Sequence, residues 1–248
     1  MVTFFIIFNE MNVHKRQVLC VLNGNAVKTQ AGAMQWTAGK VSMNSGVKGV
    51  GDFFGKALKG MATGESTSKP VYQGNGYLML EPTFKHIILE DVSQWGSGMV
   101  LDDGMFLACD ASVQENVVRR SNISSAVLGG EGLFNLSLVG NGVAVLESPV
   151  PRDEMIEIVL ENDEVKIDGN MAVAWSASLD FTVEKSGKSL LGSAVSGEGF
   201  VNVYRGTGKI LMTPTTLGTT MSTANTPREQ AASSQGIVGS VAKSLFDM

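Results

Sequence analysis

Three glutamates are the residues whose type and spacing most directly suggest shared chemistry. Glu65, Glu131 and Glu198 lie in the strings GES, GEG and GEG, 66 and 67 residues apart. Carboxylates brought within a few ångströms of one another must share a proton or hold a cation, because like charges at that range disfavour joint ionisation. The plainer chemistry is that each accepts charge-assisted hydrogen bonds from glycine amides of its own turn, and that reading is adopted. Other reactive residues are sparse. The two histidines, His14 and His86, have no cysteine, serine or aspartate at a spacing that nucleophilic catalysis uses, and no HExxH string occurs. Asp102-Asp103 has the look of a cation ligand pair, yet Asp168-Gly169 fills the matching place later in the chain, which points to turn chemistry. Cys20 and Cys109 are too few for a disulfide framework or a zinc site and read as buried free thiols of a reducing compartment. No catalytic residue, metal site or cofactor is assigned, and an enzyme is not expected.

Phosphate and nucleic-acid chemistry are also poorly supported. The string GGEG invites a phosphate loop, but such a loop must open a helix, whereas the next residues, LFNLSL, alternate as a strand. The formal net charge is −5, and the basic clusters HKR at 14–16 and RR at 119–120 do not recur once per repeat. A chain that neutralises phosphates is ordinarily basic, and a negative field opposes RNA. With 248 residues, 44% of them hydrophobic and 17% charged, the chain is long enough to bury a sizeable core. Its 29 glycines against 6 prolines indicate many tight turns.

The elements that must position these residues repeat. Gly74-Asn75-Gly76, Gly140-Asn141-Gly142 and Gly206-Thr207-Gly208 place their second glycines 66 residues apart each time. Pro82, Pro149 and Pro214 close the units at spacings of 67 and 65. Three markers sharing one period make the chain a triplication, which has to be recognised before any other feature. Each unit has the same sequence of strand signals, such as MIEIVLE, EVKI, NMAVAWSASLDFTVE, FVNVYR and GKILMTP in the third, where the turns ND and DG part the first three as NG does in the first unit. The expected architecture is all-β: three tandem antiparallel units in a sandwich-like or barrel-like body about a pseudo-threefold axis. The units span 18–82, 83–149 and 150–214, after an N-terminal strand segment at 1–17. Gly76, Gly142 and Gly208 are expected to end tight turns in backbone conformations that a side chain would strain.

The greasy start, MVTFFIIFNE, has about six apolar residues in a row against the ~20 needed to span a bilayer. It lacks a basic leader region, so a strand and a cytoplasmic location are expected. Residues 215–236 are polar and read as a flexible linker; Ile237, Val241 and Leu245 then share one face of a possible amphipathic helix.

The GEG…GxG…P pattern, with AGAMQW, DGMFLA and GNMAVAW at matching places, resembles a bacterial branch of the altered-inheritance-of-mitochondria protein 24 family over roughly 18–214. The resemblance implies three β units per chain, each similar to the subunit of the tryptophan RNA-binding attenuation protein (TRAP-like). It implies no known reaction. The mitochondrial relatives are associated with inner-membrane organisation, and no matched residue here carries that role.

The functional expectation rests on the loops before each GE string. In the first, Val47, Val50, Phe54, Leu58 and Met61 fall at helical spacing with Lys48, Lys56 and Lys59 elsewhere on the wheel. Phe53 adds to the apolar content, and Leu190 and Leu191 supply it in the third loop. Four glycines, costing ~1 kcal/mol each relative to Ala, require that segment to pack on something. Either it plugs its own core or it docks on a partner protein or membrane surface as interfacial segments do. The chain is therefore read as a non-enzymatic interaction scaffold and possible homo-oligomer, the alternative being a small-ligand or RNA-binding regulatory module.

Overall fold

Strands form wherever β-branched, aromatic and aliphatic residues alternate between glycine-, asparagine- or aspartate-centred turns. The structure is a computed structural model describing residues 1–9, 15–45, 69–119, 134–169, 171–185 and 200–214. All of them lie in the compact unit Met1–Thr216. Its strands are β1 (Thr3–Asn9), β2 (Lys15–Thr29), β3 (Met34–Asn44), β4 (Val71–Leu80), β5 (His86–Asp91), β6 (Met99–Leu101) and β7 (Phe106–Asp110). They continue as β8 (Gln114–Arg119), β9 (Phe134–Val139), β10 (Val143–Ser148), β11 (Ile156–Asp168), β12 (Ala172–Ser176), β13 (Asp180–Lys185) and β14 (Phe200–Met212). Among the described residues the helical elements are single 3-10 turns at Val92–Trp95 and Arg152–Glu154. The helices expected at 47–61 and in the C-terminal tail fall outside the described residues.

The fold is all-β, as expected. It consists of two seven-stranded antiparallel sheets, neither closed into a barrel. The first runs β3-β4-β2-β7-β10-β5, with β1 added on β2; the second runs β11-β14-β12-β6-β9-β8, with β13 added on β14.

The triplication is visible in the register. Each unit has three arms, of which the third lies between the other two. In the first unit β4 pairs with β2 and β3. In the last, β14 pairs with β11 on one side and with β12 and β13 on the other. In the middle unit β10 pairs with β5 and β7, while β9 pairs with β6 and β8. The pairs Tyr72–Val27, Leu138–Met99 and Tyr204–Val165 are equivalent. Every second arm carries a bulge at one place, skipping Gln35, Leu107 and Val173 in turn.

The middle unit is divided between the sheets. Its arms break at the glycine bend, leaving β5, β7 and β10 beside the first unit and β6, β8 and β9 beside the third. Two seams result, and they have one register. At the first, Val27, Lys28 and Thr29 of β2 face Asp110, Cys109 and Ala108 of β7. At the second, Met99, Val100 and Leu101 of β6 face Ser176, Trp175 and Ala174 of β12.

Among the described residues the core includes two apolar clusters. One gathers Val2, Phe4, Val18, Cys20, Leu22, Leu78, Leu80 and Val145 beneath the first sheet. The other gathers Leu160, Ile167, Trp175, Tyr204 and Ile210. There Trp175, Phe181 and Tyr204 stack with ring centroids 4.9–5.4 Å apart, within the range of favourable aromatic pairs.

Candidate interaction surface

The segments that precede each GE string connect the second and third arms of their units, at the same hairpin in each unit. The last ladder pairs before them are Asn44–Val71, Arg119–Phe134 and Lys185–Phe200. The segments themselves lie outside the described residues, and with them Val50, Phe53, Phe54, Leu58, Met61, Leu190 and Leu191. Glu65, Glu131 and Glu198 also lie outside.

The glycine pairs sit at bends within arms and do not reverse the chain. Gly76 is inside β4, facing Leu22 and Gly39, and Gly208 is inside β14, facing Leu160. Gly142 stands where the third arm of the middle unit passes from β9 to β10. The expected tight turns between strands are thus bends, because each third arm crosses close over the second arm of its unit. A Cβ on Gly76 would meet the Ala38 carbonyl oxygen at 2.1 Å, one on Gly142 the Asp110 Cβ at 2.8 Å, and one on Gly208 the Ser176 Cβ at 2.7 Å. Gly76 and Gly142 also have positive φ, 153° and 151°. Hydroxyls tie the crossing down, Ser112 Oγ donating to the Asn141 carbonyl at 2.8 Å and Ser178 Oγ to that of Thr207 at 2.7 Å.

The described groups with chemical potential have structural partners. The buried Asp110 carboxylate accepts from the Val2 N–H at 2.5 Å and the Val143 N–H at 2.8 Å, fastening the N-terminus to the glycine bend. Glu90, also buried, accepts from Trp95 Nε1 at 3.3 Å and Arg152 Nε at 2.8 Å. Asp102 and Asp103 lie at the β6–β7 turn, closed by the Met105 N–H to the Asp102 carbonyl at 3.3 Å, with Gly104 at φ 73°. The matching β2–β3 turn is closed by the Ala33 N–H to the Gln30 carbonyl at 3.1 Å, with Gly32 at φ 78°. His86 pairs with Ser148 at the edge of the first sheet, and partial burial together with Arg16 lowers its pKa. Cys20 and Cys109 are buried free thiols, and desolvation pushes both up to about 12. Among the described residues, no group of three or more His, Cys, Asp or Glu could hold a metal ion. No helix among them is long and apolar enough to cross a membrane.

The family model described as Mitochondrial biogenesis AIM24 matches residues 11–215. The chain belongs to that family. An uncharacterized protein of Streptococcus pyogenes serotype M6 is 32% identical to it over 196 residues, 76% of each chain. The X-ray crystal structure of a Streptococcus pyogenes protein shares the fold at a TM-score of 0.63 and 27% identity, over 96% of this chain and all of the other. The family resemblance carried by the glycine motifs is thereby established, and both relatives are bacterial.

The AIM24 fold also exposes something that the repeat pattern did not single out. Every residue of β3 from Met34 to Lys40 is exposed, including Trp36 at 42% and Met34 at 40%. The equivalent strands β7 and β12 are buried at all five positions. A signal was present in the sequence. FLACD and AVAWS, in β7 and β12, carry apolar residues on both faces, whereas MQWTA in β3 sets Gln35 and Thr37 between its apolar residues, a polarity that suits an outer strand although here even its apolar positions are exposed.

Proposed function

We propose that this AIM24-family chain is a non-enzymatic interaction scaffold of the cytoplasm, presenting its three Gly-rich apolar segments to a partner protein or membrane surface. The observation that carries this reading is that all three segments join the same hairpin, between the second and third arms, whose described ladders end at Asn44–Val71, Arg119–Phe134 and Lys185–Phe200. A triplicated scaffold with one insertion per unit, always at one hairpin, is built as a display. The non-enzymatic half of the reading is supported by the engagement of Asp110 and Glu90 in structural hydrogen bonds and by the burial of both thiols. The first segment combines apolar residues at helical spacing with lysines, the composition of an interfacial segment drawn to anionic lipid.

The test is a triple variant, Phe53→Ser, Phe54→Ser, Leu58→Ser, assayed for co-sedimentation with vesicles of phosphatidylcholine and phosphatidylserine and for retention of proteins from its own cells. The expected result is an unchanged melting temperature with loss of vesicle or partner binding. Unfolding of the variant would place these side chains in the core and end the docking reading.

A further inference from the structure

The two seams between units are copies of one interface, and the chain contains both halves of a third copy without joining them. At the first seam the three-residue ladder is flanked by two further bonds, Gln30 N–H to the Leu107 carbonyl at 2.7 Å and Ala111 N–H to the Ala26 carbonyl at 3.0 Å. At the second the flanking bonds are Asp102 N–H to the Val173 carbonyl at 3.1 Å and Ala177 N–H to the Gly98 carbonyl at 2.9 Å. They match position for position. In each seam the first arm of one unit receives the bulged second arm of the next. The last unit's first arm, β11, and the first unit's second arm, β3, are the remaining pair. Each stands at the free end of its sheet order, one in each sheet, and no described ladder joins them.

We infer that β3 of one copy of this chain adds to β11 of a second copy, repeating the internal seam between molecules. The equivalences fix the register. Ala38 faces Val165, Thr37 faces Lys166 and Trp36 faces Ile167. The Asp168 N–H donates to the Gln35 carbonyl, and the Gly39 N–H donates to the Glu164 carbonyl. An exposed strand edge is a template for pairing with another chain, and this one has a defined complement.

Side chains agree with the register. Trp36, exposed in the single chain, comes to lie opposite the buried Ile167, a cross-strand aromatic and β-branched pair. Two residues beyond the ladder, Lys40 falls beside Asp163, so opposite charges meet at the rim. The sites used on the two copies differ, so the contact is head-to-tail. Such contacts build a ring when the rotation closes and a filament when it does not.

The experiment uses the full chain in sedimentation velocity over a concentration series, with variants that block one edge each. In an antiparallel ladder outward and inward N–H groups alternate. By the seam register, Thr37 and Lys166 donate outward, so Thr37→Pro and Lys166→Pro each remove an edge donor and leave the internal ladders intact, as edge prolines do. The wild type is expected to form species larger than one chain as concentration rises, and each variant alone to remain a single chain. An equimolar mixture of the two variants retains one good β11 and one good β3, so it should give a two-chain species and nothing larger. Should Thr37→Pro lose its far-UV strand signal, Trp36→Glu at an exposed site of the same edge replaces it; should Lys166→Pro do so, Asp168→Pro removes the other outward donor at the exposed end of β11 instead. The proposal is overturned by a wild type that stays a single chain at every concentration, by assembly that survives both edge blocks, or by a mixture that remains monomeric. A monomeric wild type whose Thr37 amide resists hydrogen exchange would show that the edge is covered within a single chain, and also overturns it.

Discussion

A Cβ on Gly142 would lie 2.8 Å from the Cβ of Asp110 and 2.9 Å from the Cγ2 of Val113. The third arm of the middle unit thus presses against its second arm with no room for a side chain. The approach has a consequence for the Asp110 carboxylate, which reaches the Val143 N–H just beyond the bend and the Val2 N–H of the N-terminal segment. Gly142→Val forces a β-branched residue into a φ of 151° as well as into this contact. The expected loss of stability is about 1–3 kcal/mol, the cost of a strained backbone position. Chemical denaturation of wild type and variant measures it, and an unchanged midpoint would contradict the crossing.

Much of this architecture was legible in the sequence, because period and turn chemistry are local. The 66-residue spacing of the GxG strings returns as the offset among Tyr72, Leu138 and Tyr204 in the ladders. The aspartates at 102 and 103 were readable as turn residues for the same reason. Two features were not legible. That GxG would bend an arm and not reverse it depends on how closely Gly76 approaches Ala38, a contact between residues nearly forty positions apart in the chain. That β5, β7 and β10 would part from β6, β8 and β9 depends on which neighbours flank a unit, and the repeated motif is the same in a middle unit and an end one. The outer units betray themselves only through departures from the repeat, such as Gln35 and Thr37 where Leu107 and Cys109 stand in the middle unit.

The thiols give a second prediction. Cys20 and Cys109 are fully buried, and desolvation, reinforced by the charges of Asp110 at Cys20 and Glu115 at Cys109, pushes each to about 12. The thiolate is the nucleophile, so native protein should be nearly inert to iodoacetamide at mildly alkaline pH. Both thiols should react rapidly in denaturant. The sign of the linked stability follows: above the ordinary thiol range, ~8.5, the unfolded chain ionises while the native one does not, so stability falls as pH rises. Replacing both cysteines with alanine should remove that part of the alkaline slope. Rapid alkylation of the native protein would show an open path to these sulfurs.

The third prediction concerns the surface network around Arg205. Its guanidinium contacts Glu184 Oε1 at 2.7 Å through Nη1 and Glu164 Oε2 at 2.5 Å through Nε. Because Glu184 lies on β13, Arg205 on β14 and Glu164 on β11, one side chain bridges three adjacent strands across the bend at Gly206. The hydrogen bond from Arg205 lowers the pKa of Glu184, while those from Lys166 and then Arg205 lower that of Glu164. For a carboxylate held below its unfolded value, the stabilisation is fully present above that unfolded value and disappears as pH falls through the folded one. Melting temperature measured from neutral pH downward should therefore be higher for wild type than for Arg205→Gln, with the two curves converging below the ordinary glutamate range. The network is solvent-exposed, so added salt should shrink the gap at neutral pH. Lys166→Gln should depress the curve less, since Arg205 still holds both carboxylates. Parallel wild-type and Arg205→Gln curves across the acid range would mean that the bridge does not couple these strands in solution.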